Sequence, residues 1–410
     1  LQHPYRATKL QPQRGETLIH NTDEANTTLA GLEKALAGKL PRHDRAVKLC
    51  ARALLYEALG DRKMLETAQE AYAFSKTAQT AQILAVALHY FGRVEESIKM
   101  HEQAYRYPHE PGFEIDIDYA LSLLYRGKWP EARKILLNMK KRMVYAGHLP
   151  DWRGEKVPEI SIVGEGGFGD IINYARWIPK IYEMGIKPTL YLSPYMYDNS
   201  FKALCESQSW FCPIKRLVET PLKVPATGVF DLFAVFDAMP GTLPSPAPWT
   251  FQQKADLPTG KPRVALCWSA QSTESPLMAK GVYRSLTEEQ VSRLISETRD
   301  HVEWVNLQWG LDTPGTLNLS QKSWNDTATI INSVDAVVTI DTFAVHLAAS
   351  MGKPVWMLLS GASDWRWGIK GTTTEWYPTV RIFRNNDFGF ENALNNLIAA
   401  ITASELKTNL

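Results

Sequence analysis

Residues 335–359, DAVVTIDTFAVHLAASMGKPVWMLL, decide the fold of the carboxyl half. The apolar, β-branched run 335–340 reads as a strand buried on both faces. Asp341 and Thr342 follow, and then an Ala-rich apolar stretch from Phe343 to Ser350 reads as a buried helix that stops at Gly352. Pro354 precedes another apolar run, so the segment is one βαβ unit, and such a unit demands a parallel sheet. The alternation continues on both sides. Upstream lie RVALCWS, SLTEEQVSRLISETR and HVEWVNLQ, and downstream lies TVRIFR. Earlier still come PEISIV, DIINYARWIPKIYEMG, KPTLYLS and FDLFAVF, the last also read as a strand. The Pro-rich segment 240–262 reads as a linker, which divides the α/β region into two domains facing across a cleft.

Before residue 150 the pattern differs. The chain is helical and Ala-rich, with breaks in ALGDRKMLETAQEAY, YFGRVEESIKMHEQAY and LYRGKWPEARKILL. Their glycines, Gly60, Gly92 and Gly127, are spaced 32 and 35 residues apart, and Pro108 follows one unit. That interval matches tetratricopeptide units of about 34 residues, in which each helix pair buries its apolar face by stacking on the next. The expected division is a tail over 1–20, TPR-like repeats over 21–150, and Rossmann-like domains over 151–255 and 256–410.

Composition narrows the function. The chain has 410 residues, Lys+Arg 45 against Asp+Glu 44, and a net charge of +1. A protein devoted to nucleic acid or an anionic membrane usually carries a basic excess. The local exception is Arg126, Lys128, Arg133, Lys134, Lys140, Lys141 and Arg142, opposed nearby only by Glu131. This strip is a solvated helix face or a rest for a polyanionic acceptor. No apolar run nears the roughly 20 residues of a membrane span, and the polar amino end has no signal-peptide core. The four cysteines, Cys50, Cys205, Cys212 and Cys267, form no CxxC pair. A reduced, cytoplasmic setting is expected, with no metal site.

Three stretches carry chemistry. The first is Gly164-Glu-Gly166-Gly167-Phe-Gly169-Asp170, between a strand and a helix. It satisfies GxGxxG, but the second strand ends in Ser193, Pro194 and Tyr195 without the carboxylate that holds a dinucleotide ribose. NAD is therefore disfavoured. The loop instead presents amides at a helix start, a place suited to an anion, and Asp170 is either a cap or a general base. The second is Asp341-Thr342 with His346. The helix amides after Asp341 suit a diphosphate, and Thr342 and His346 share one helix face. Local alternatives are Asp341 as N-cap and His346 as an interior histidine. The third is the loop after Cys267: Trp268 and Ser269, then Lys280 and Arg284, whose charges suit a leaving diphosphate. Eight of the 13 tryptophans lie after Lys261. Most read as core, but Trp365 and Trp367 of DWRW read as loop residues able to line a base or sugar pocket. Trp268, Ser269, Gln308 and Trp365 are the candidates for that pocket.

Together the blocks VVTIDTFAVHLAASMGKPVWMLLSGASDWRWG, TEWYPTVRIFRN and GEGGFGDIINYARWIPKI resemble bacterial tetratricopeptide-repeat proteins with a glycosyltransferase-like carboxyl half. At a lower level they are similar to the ADP-heptose:lipopolysaccharide heptosyltransferases. The resemblance implies a GT-B fold of two Rossmann-like domains, and a nucleoside-diphosphate sugar as co-substrate with no other cofactor. Asp170 matches the family's proposed general base. Asp341, Thr342 and His346 match the residues beside the donor diphosphate, Lys280 the lysine after the first strand of the carboxyl domain, and Arg284 an arginine of the repeat-containing relatives. Phe343 stands where heptosyltransferases usually have Gly, and the loop 271–279 departs from their short basic loop. The expected activity is inverting, metal-independent sugar transfer to a hydroxyl. The acceptor is a protein, a glycolipid or, less favoured by charge, a modified nucleic-acid base, and the repeats offer a surface for self-association. The alternative is a non-catalytic scaffold whose repeats bind peptide and whose GT-B half is degenerate.

Overall fold

The computed structural model describes residues 22–59, 61–109, 113–138, 151–217, 222, 224–270, 284–361, 363–385 and 389–403. Its amino part is a run of helices: α1 (Thr22–Ala37), α2 (Arg42–Leu59), α3 (Lys63–Phe74), α4 (Ala78–Tyr90), α5 (Val94–Arg106), α6 (Phe113–Tyr125) and α7 (Trp129–Asn138). Each packs on its sequence neighbours, as stacked helix pairs do. The helix α5 shows why. Its buried Val94, Ser97, Ile98, His101 and Ala104 recur every three or four residues, so one stripe faces the stack. Gly92 and Gly127 both have φ of +71°, the left-handed turn that the repeat requires after a helix.

The rest is two α/β lobes. The first contains β1 (Glu159–Val163), α8 (Phe168–Tyr174), α9 (Ile178–Glu183), β2 (Lys187–Leu192), α10 (Pro194–Tyr197), α11 (Phe201–Glu206), β3 (Ile214–Arg216), β4 (Ala226–Gly228) and α12 (Leu232–Val235). The second contains β5 (Arg263–Cys267), α13 (Glu288–Thr298), β6 (Glu303–Asn306), α14 (Trp324–Ser333), β7 (Ala336–Thr339), α15 (Phe343–Ser350), β8 (Val355–Leu359), β9 (Val380–Arg384) and α16 (Glu391–Thr402). Every strand pairing is parallel, in the orders β3-β2-β1-β4 and β6-β5-β7-β8-β9. Each sheet starts at an inner strand, runs one way, then returns to the other side of that strand. The switch points therefore lie between β1 and β4 and between β5 and β7, where open α/β sheets leave a crevice. TPR-like helices followed by two Rossmann-like sheets are the expected GT-B class with an all-α amino part.

Three readings change. FDLFAVF is not a strand: β4 ends just before it, and the stretch forms a 3-10 turn (Val229–Asp231) and α12. An all-apolar run does not reveal its period, and helical geometry lets Phe233 meet the Trp129 ring edge-on at 6.3 Å. The Pro-rich segment is strapped to both lobes. The Thr250 amide donates to Gln208 Oε1 and Asn332 Nδ2 to the Phe251 carbonyl. The basic strip is partly neutralised from other elements: Arg126 pairs with Glu102 at 2.9 Å and Arg133 with Asp237. Counting local charges misses such partners, and Lys140, Lys141 and Arg142 fall outside the described residues. Among the described residues no helix is long and apolar enough to cross a membrane, and all four cysteines are free and buried.

The lobes touch where α8 meets α15. A Cβ on Gly169 would lie 2.6 Å from His346 Cδ2 and 3.1 Å from the Phe343 Cα. Gly169→Ala must then push backbone from backbone, and a loss of roughly 1–3 kcal/mol is expected. Gly31→Ala in α1, where a Cβ meets nothing within 4 Å, should instead gain roughly 0.5–1 kcal/mol from helix propensity. Thermal or urea unfolding of the two variants checks the opposite signs, and a neutral G169A would mean that this contact is loose.

Candidate active site

The site is built from the carboxyl ends of β1, β5 and β7. After β1 the chain turns through Gly164, Gly166, Gly167 and Gly169 into α8. Gly166 has φ of +79°, and a Cβ there would lie 2.5 Å from Asp170 Oδ2. Asp170 closes a capping box, its Oδ2 accepting the Gly167 N–H at 2.8 Å. The capping role is thus real, but it uses one oxygen. The other, Oδ1, accepts from Arg366 Nη1 at 2.8 Å across the lobes.

Arg366 comes from the DWRW turn and is the principal site residue that sequence reading passed over. Its Nε and its backbone N–H both donate to Asp364 Oδ1, at 2.8 and 2.9 Å. Burial works against its charge, yet Asp364 and Asp170 outweigh that penalty and hold the guanidinium protonated well above its ordinary range. Burial would likewise push Asp364 up, but Arg366 brings it below the usual carboxylate value. The local signal was an arginine between two tryptophans just after an aspartate. Its partner, 196 residues away, had no local signature.

At the end of β7, Thr342 rather than Asp341 is the N-cap of α15. Its hydroxyl accepts from the Ala344 amide at 3.3 Å and lies 3.0 Å from Thr339 Oγ1. Asp341 sits beside Arg284, whose Nη1 donates to the Asp341 carbonyl at 3.3 Å and lies 3.7 Å from its Oδ2. Burial raises the Asp341 carboxyl above its normal value, with Arg284 acting in the opposite sense. The Phe343 ring stands edge-on to Trp324 at a centroid distance of 4.6 Å. Trp324 in turn lies 4.5 Å from Phe168, so this aromatic group bridges the lobes.

His346 is 3% exposed, and its Nδ1 lies 3.0 Å from the Tyr377 hydroxyl. That hydroxyl also accepts from Asn173 Nδ2 at 2.8 Å. The arrangement fits Tyr377 donating to Nδ1, which leaves the imidazole proton on Nε2. This is the geometry of an interior histidine. Near the end of β5, Gln308 Oε1 accepts the Ser269 amide at 3.0 Å, and the Ala270 amide donates to Ser285 Oγ at 3.0 Å. Ser269, Gln308, Arg284 and Thr342 thus gather at the β5–β7 switch point. Trp268 belongs to the core, with Nε1 on Thr313 Oγ1. Trp365 does too, wedged against Trp129, Phe233 and Trp376, each 5.4 Å away. Lys280 and the loop 271–279 lie outside the described residues. Among the described residues no group of three or more His, Cys, Asp or Glu could hold a metal ion.

No protein-family model matches the chain, and no curated protein matches it significantly. Solved structures with a similar fold include the E. coli heptosyltransferase WaaC with ADP, at 13% identity and TM-score 0.37, covering 60% of this chain and 98% of that one. A glycosyl transferase family 9 protein from Veillonella parvula is 8% identical at TM-score 0.43, covering 62% and 99%. A mutant of the Thermobaculum terrenum O-GlcNAc transferase is 14% identical at TM-score 0.35, covering 94% and 89%. All three scores lie below 0.5, so the fold is assigned from this chain's own strand orders.

Burial first, and then Arg366, Arg176 and Arg284, keep the His346 pKa well below the ordinary 6.5. The folded chain holds this ring neutral, whereas the unfolded chain protonates it near pH 6.5. The stability involved is present above that pH and is lost as pH falls towards the folded pKa. In urea titrations from about pH 7 to about pH 5.5, His346→Gln should show a shallower loss of stability than the parent. The difference should reach at most about 1.4 kcal/mol per pH unit, and parallel slopes would refute the assignment.

Proposed function

We propose that this protein is a glycosyltransferase that moves a sugar from a nucleoside-diphosphate sugar to an acceptor hydroxyl, with inversion and without a metal ion. The contact of α8 with α15 carries the reading: it sets Asp170 one residue from Gly169, which abuts Phe343 and His346 at the start of the opposing helix. A carboxylate held by Arg366 of the other lobe thus lies one residue from the closest approach of the amino end of α15.

The chemistry follows from that placement. The donor diphosphate lies at the amino end of α15, near Thr342, where backbone N–H groups and the helix dipole favour negative charge. Arg284 flanks it, and Lys280, which falls outside the described residues, is proposed as a further cation on the resemblance alone. The acceptor oxygen bonds to the anomeric carbon from the face opposite the diphosphate, and its proton passes to Asp170. The bond from the anomeric carbon to the diphosphate oxygen breaks with its electron pair. The growing charge is met by the arginine, the lysine and the amides. A single displacement inverts the anomeric centre. Ser269 and Gln308, at the carboxyl ends of β5 and β6, lie where the base or ribose of the donor would sit at the switch point.

A non-catalytic scaffold is the competing reading, motivated by a bulky residue at position 343. That ring packs edge-on against Trp324 in an aromatic group with Phe168, which gives the bulk at position 343 a structural role of its own. The acceptor stays among protein, glycolipid and modified nucleic-acid base, and the partial pairing of the basic strip counts against the last.

Purified protein incubated with UDP-, GDP- and ADP-sugars and candidate acceptors, read by mass spectrometry, tests the activity. Asp170→Asn should lower transfer by at least about a hundredfold, the scale of a lost general base. Calorimetric affinity for ADP, UDP or GDP should stay within a few-fold. Full turnover in D170N would refute the base assignment, and no nucleotide binding by the parent would refute the whole reading.

A further inference from the structure

Arg366 is delivered to Asp170 by a short turn that is anchored partly in the carboxyl lobe, where the Arg366 carbonyl accepts from Thr374 Oγ1 at 2.9 Å, and partly in the helical repeats. The carbonyl of Ser363, three residues before Arg366, accepts two hydrogen bonds from the helical repeats. One comes from His89 Nε2 in α4 at 2.9 Å and the other from the Tyr125 hydroxyl in α6. Because a carbonyl only accepts, His89 must carry its proton on Nε2. The next residues bind in sequence: Asp364 holds the Arg366 Nε and backbone N–H, Trp365 plugs in against Trp129 of α7, and Arg366 reaches Asp170. Repeat, turn, arginine and carboxylate form one continuous chain of contacts.

The junction is polar and not fully packed. A cavity of about 20 Å³ lies beside it, lined among others by His89, His101, Asp118, Tyr125 and Trp365. The turn is buried, and the directed hydrogen bonds add distance and direction to the packing of Trp365 on Trp129, Phe233 and Trp376. From the carboxyl lobe Arg384 grips the far end, donating to the Trp367 carbonyl at 2.7 Å and the Gly368 carbonyl at 3.1 Å. At the near end the repeats hold the Ser363 carbonyl, while its amide donates to the Gly361 carbonyl of its own segment.

We propose that the helical repeats are part of the catalytic apparatus: through His89 and Tyr125 they hold the 363–367 turn so that Arg366, a positioning residue, fixes the Asp170 carboxylate. The capping bond to Gly167 alone leaves Asp170 Oδ1 undirected, and the Arg366 Nη1 supplies the second point that orients the carboxylate plane. A protein or peptide that bends the repeat stack would loosen this carboxylate without touching the donor. The functional part of the proposal rests on Asp170 as the base; the mechanical part does not.

The test separates the two. Arginine-labelled full-length protein is studied by NMR, with the Arg366 Nε–H signal assigned by its disappearance in Arg366→Met. Asp170→Asn should shift that signal. Tyr125→Phe, which removes only a hydroxyl, and His89→Ala should shift or broaden it, while His89→Gln, which retains a donor, should restore it in part. An Arg366 signal unmoved by both Y125F and H89A overturns the proposal. If H89A does not fold, Y125F alone decides. On any UDP-, GDP- or ADP-sugar that the parent turns over, Y125F should lower kcat by about tenfold, the scale of a misplaced catalytic group, with donor KM within about threefold. A KM effect with kcat unchanged would also overturn it. Should the parent turn over none of these sugars, the glycosyltransferase reading fails on its own and the NMR result still decides the mechanical coupling.

Discussion

The structure depends on two helix amino ends being held face to face. Each carries about half a positive charge, and like ends repel. Three arginines, Arg176, Arg284 and Arg366, add to the same region, as their shared depression of the His346 pKa shows. Asp170, Asp341 and Asp364 are the balancing carboxylates, and burial raises the pKa of Asp341, which weakens its share. The helix ends add their partial positive charge to that of the arginines, and these carboxylates offset it. In the proposed reaction the donor diphosphate meets these helix ends and arginines. Gly169 makes the approach sterically possible, since any side chain there meets backbone.

The polar side chains around this contact serve two ends at once. Asp170 caps α8 and takes the arginine; Tyr377 orients His346 and accepts Asn173 from the other lobe. Arg176 is buried without a carboxylate on its guanidinium and is satisfied by the carbonyls of Asn173, Pro244 and Trp376. Its face lies 5.1 Å from the Trp376 ring. Cross-lobe bonds of this kind resist opening, because each leaves a buried polar group unpaired when broken. The lobes are therefore held in register by bonds that also shape the site.

Much of this was legible where chemistry follows local pattern. The run VVTIDT followed by an apolar helix and Gly-Lys-Pro marked strand, turn and helix, because β-branched residues and a terminating glycine act over a few residues. The glycine interval near 34 exposed the repeats for the same reason. What escaped was set by distant partners. Asp341 reads as the cap from the sequence, but Thr342 takes it, with its hydroxyl 3.0 Å from Thr339 Oγ1. FDLFAVF has no period of its own and takes its helix from the aromatic surface of α7. Trp365 looks like a loop ring available to a ligand until Trp129, Phe233 and Trp376 close on it from three parts of the chain. Arg366 escaped because its role is defined by Asp170, and nothing within a turn of either residue names the other.

That contrast bears on how helical repeats and catalytic lobes come to share a chain. A repeat array that served only to capture partners would need no more than a tether, and its contacts with the lobes could be any apolar patch. Here the last helices contribute Trp129 to an aromatic plug and Tyr125 to a single backbone carbonyl, on a segment that ends at the candidate base. Apolar contact tolerates sliding, whereas a hydrogen bond to one carbonyl fixes distance and direction. The specificity of that bond is greater than adhesion requires. It is what positioning requires, because a carboxylate displaced by about 1 Å loses much of its value as a proton acceptor. In the proposed reaction the repeats therefore help to position the base.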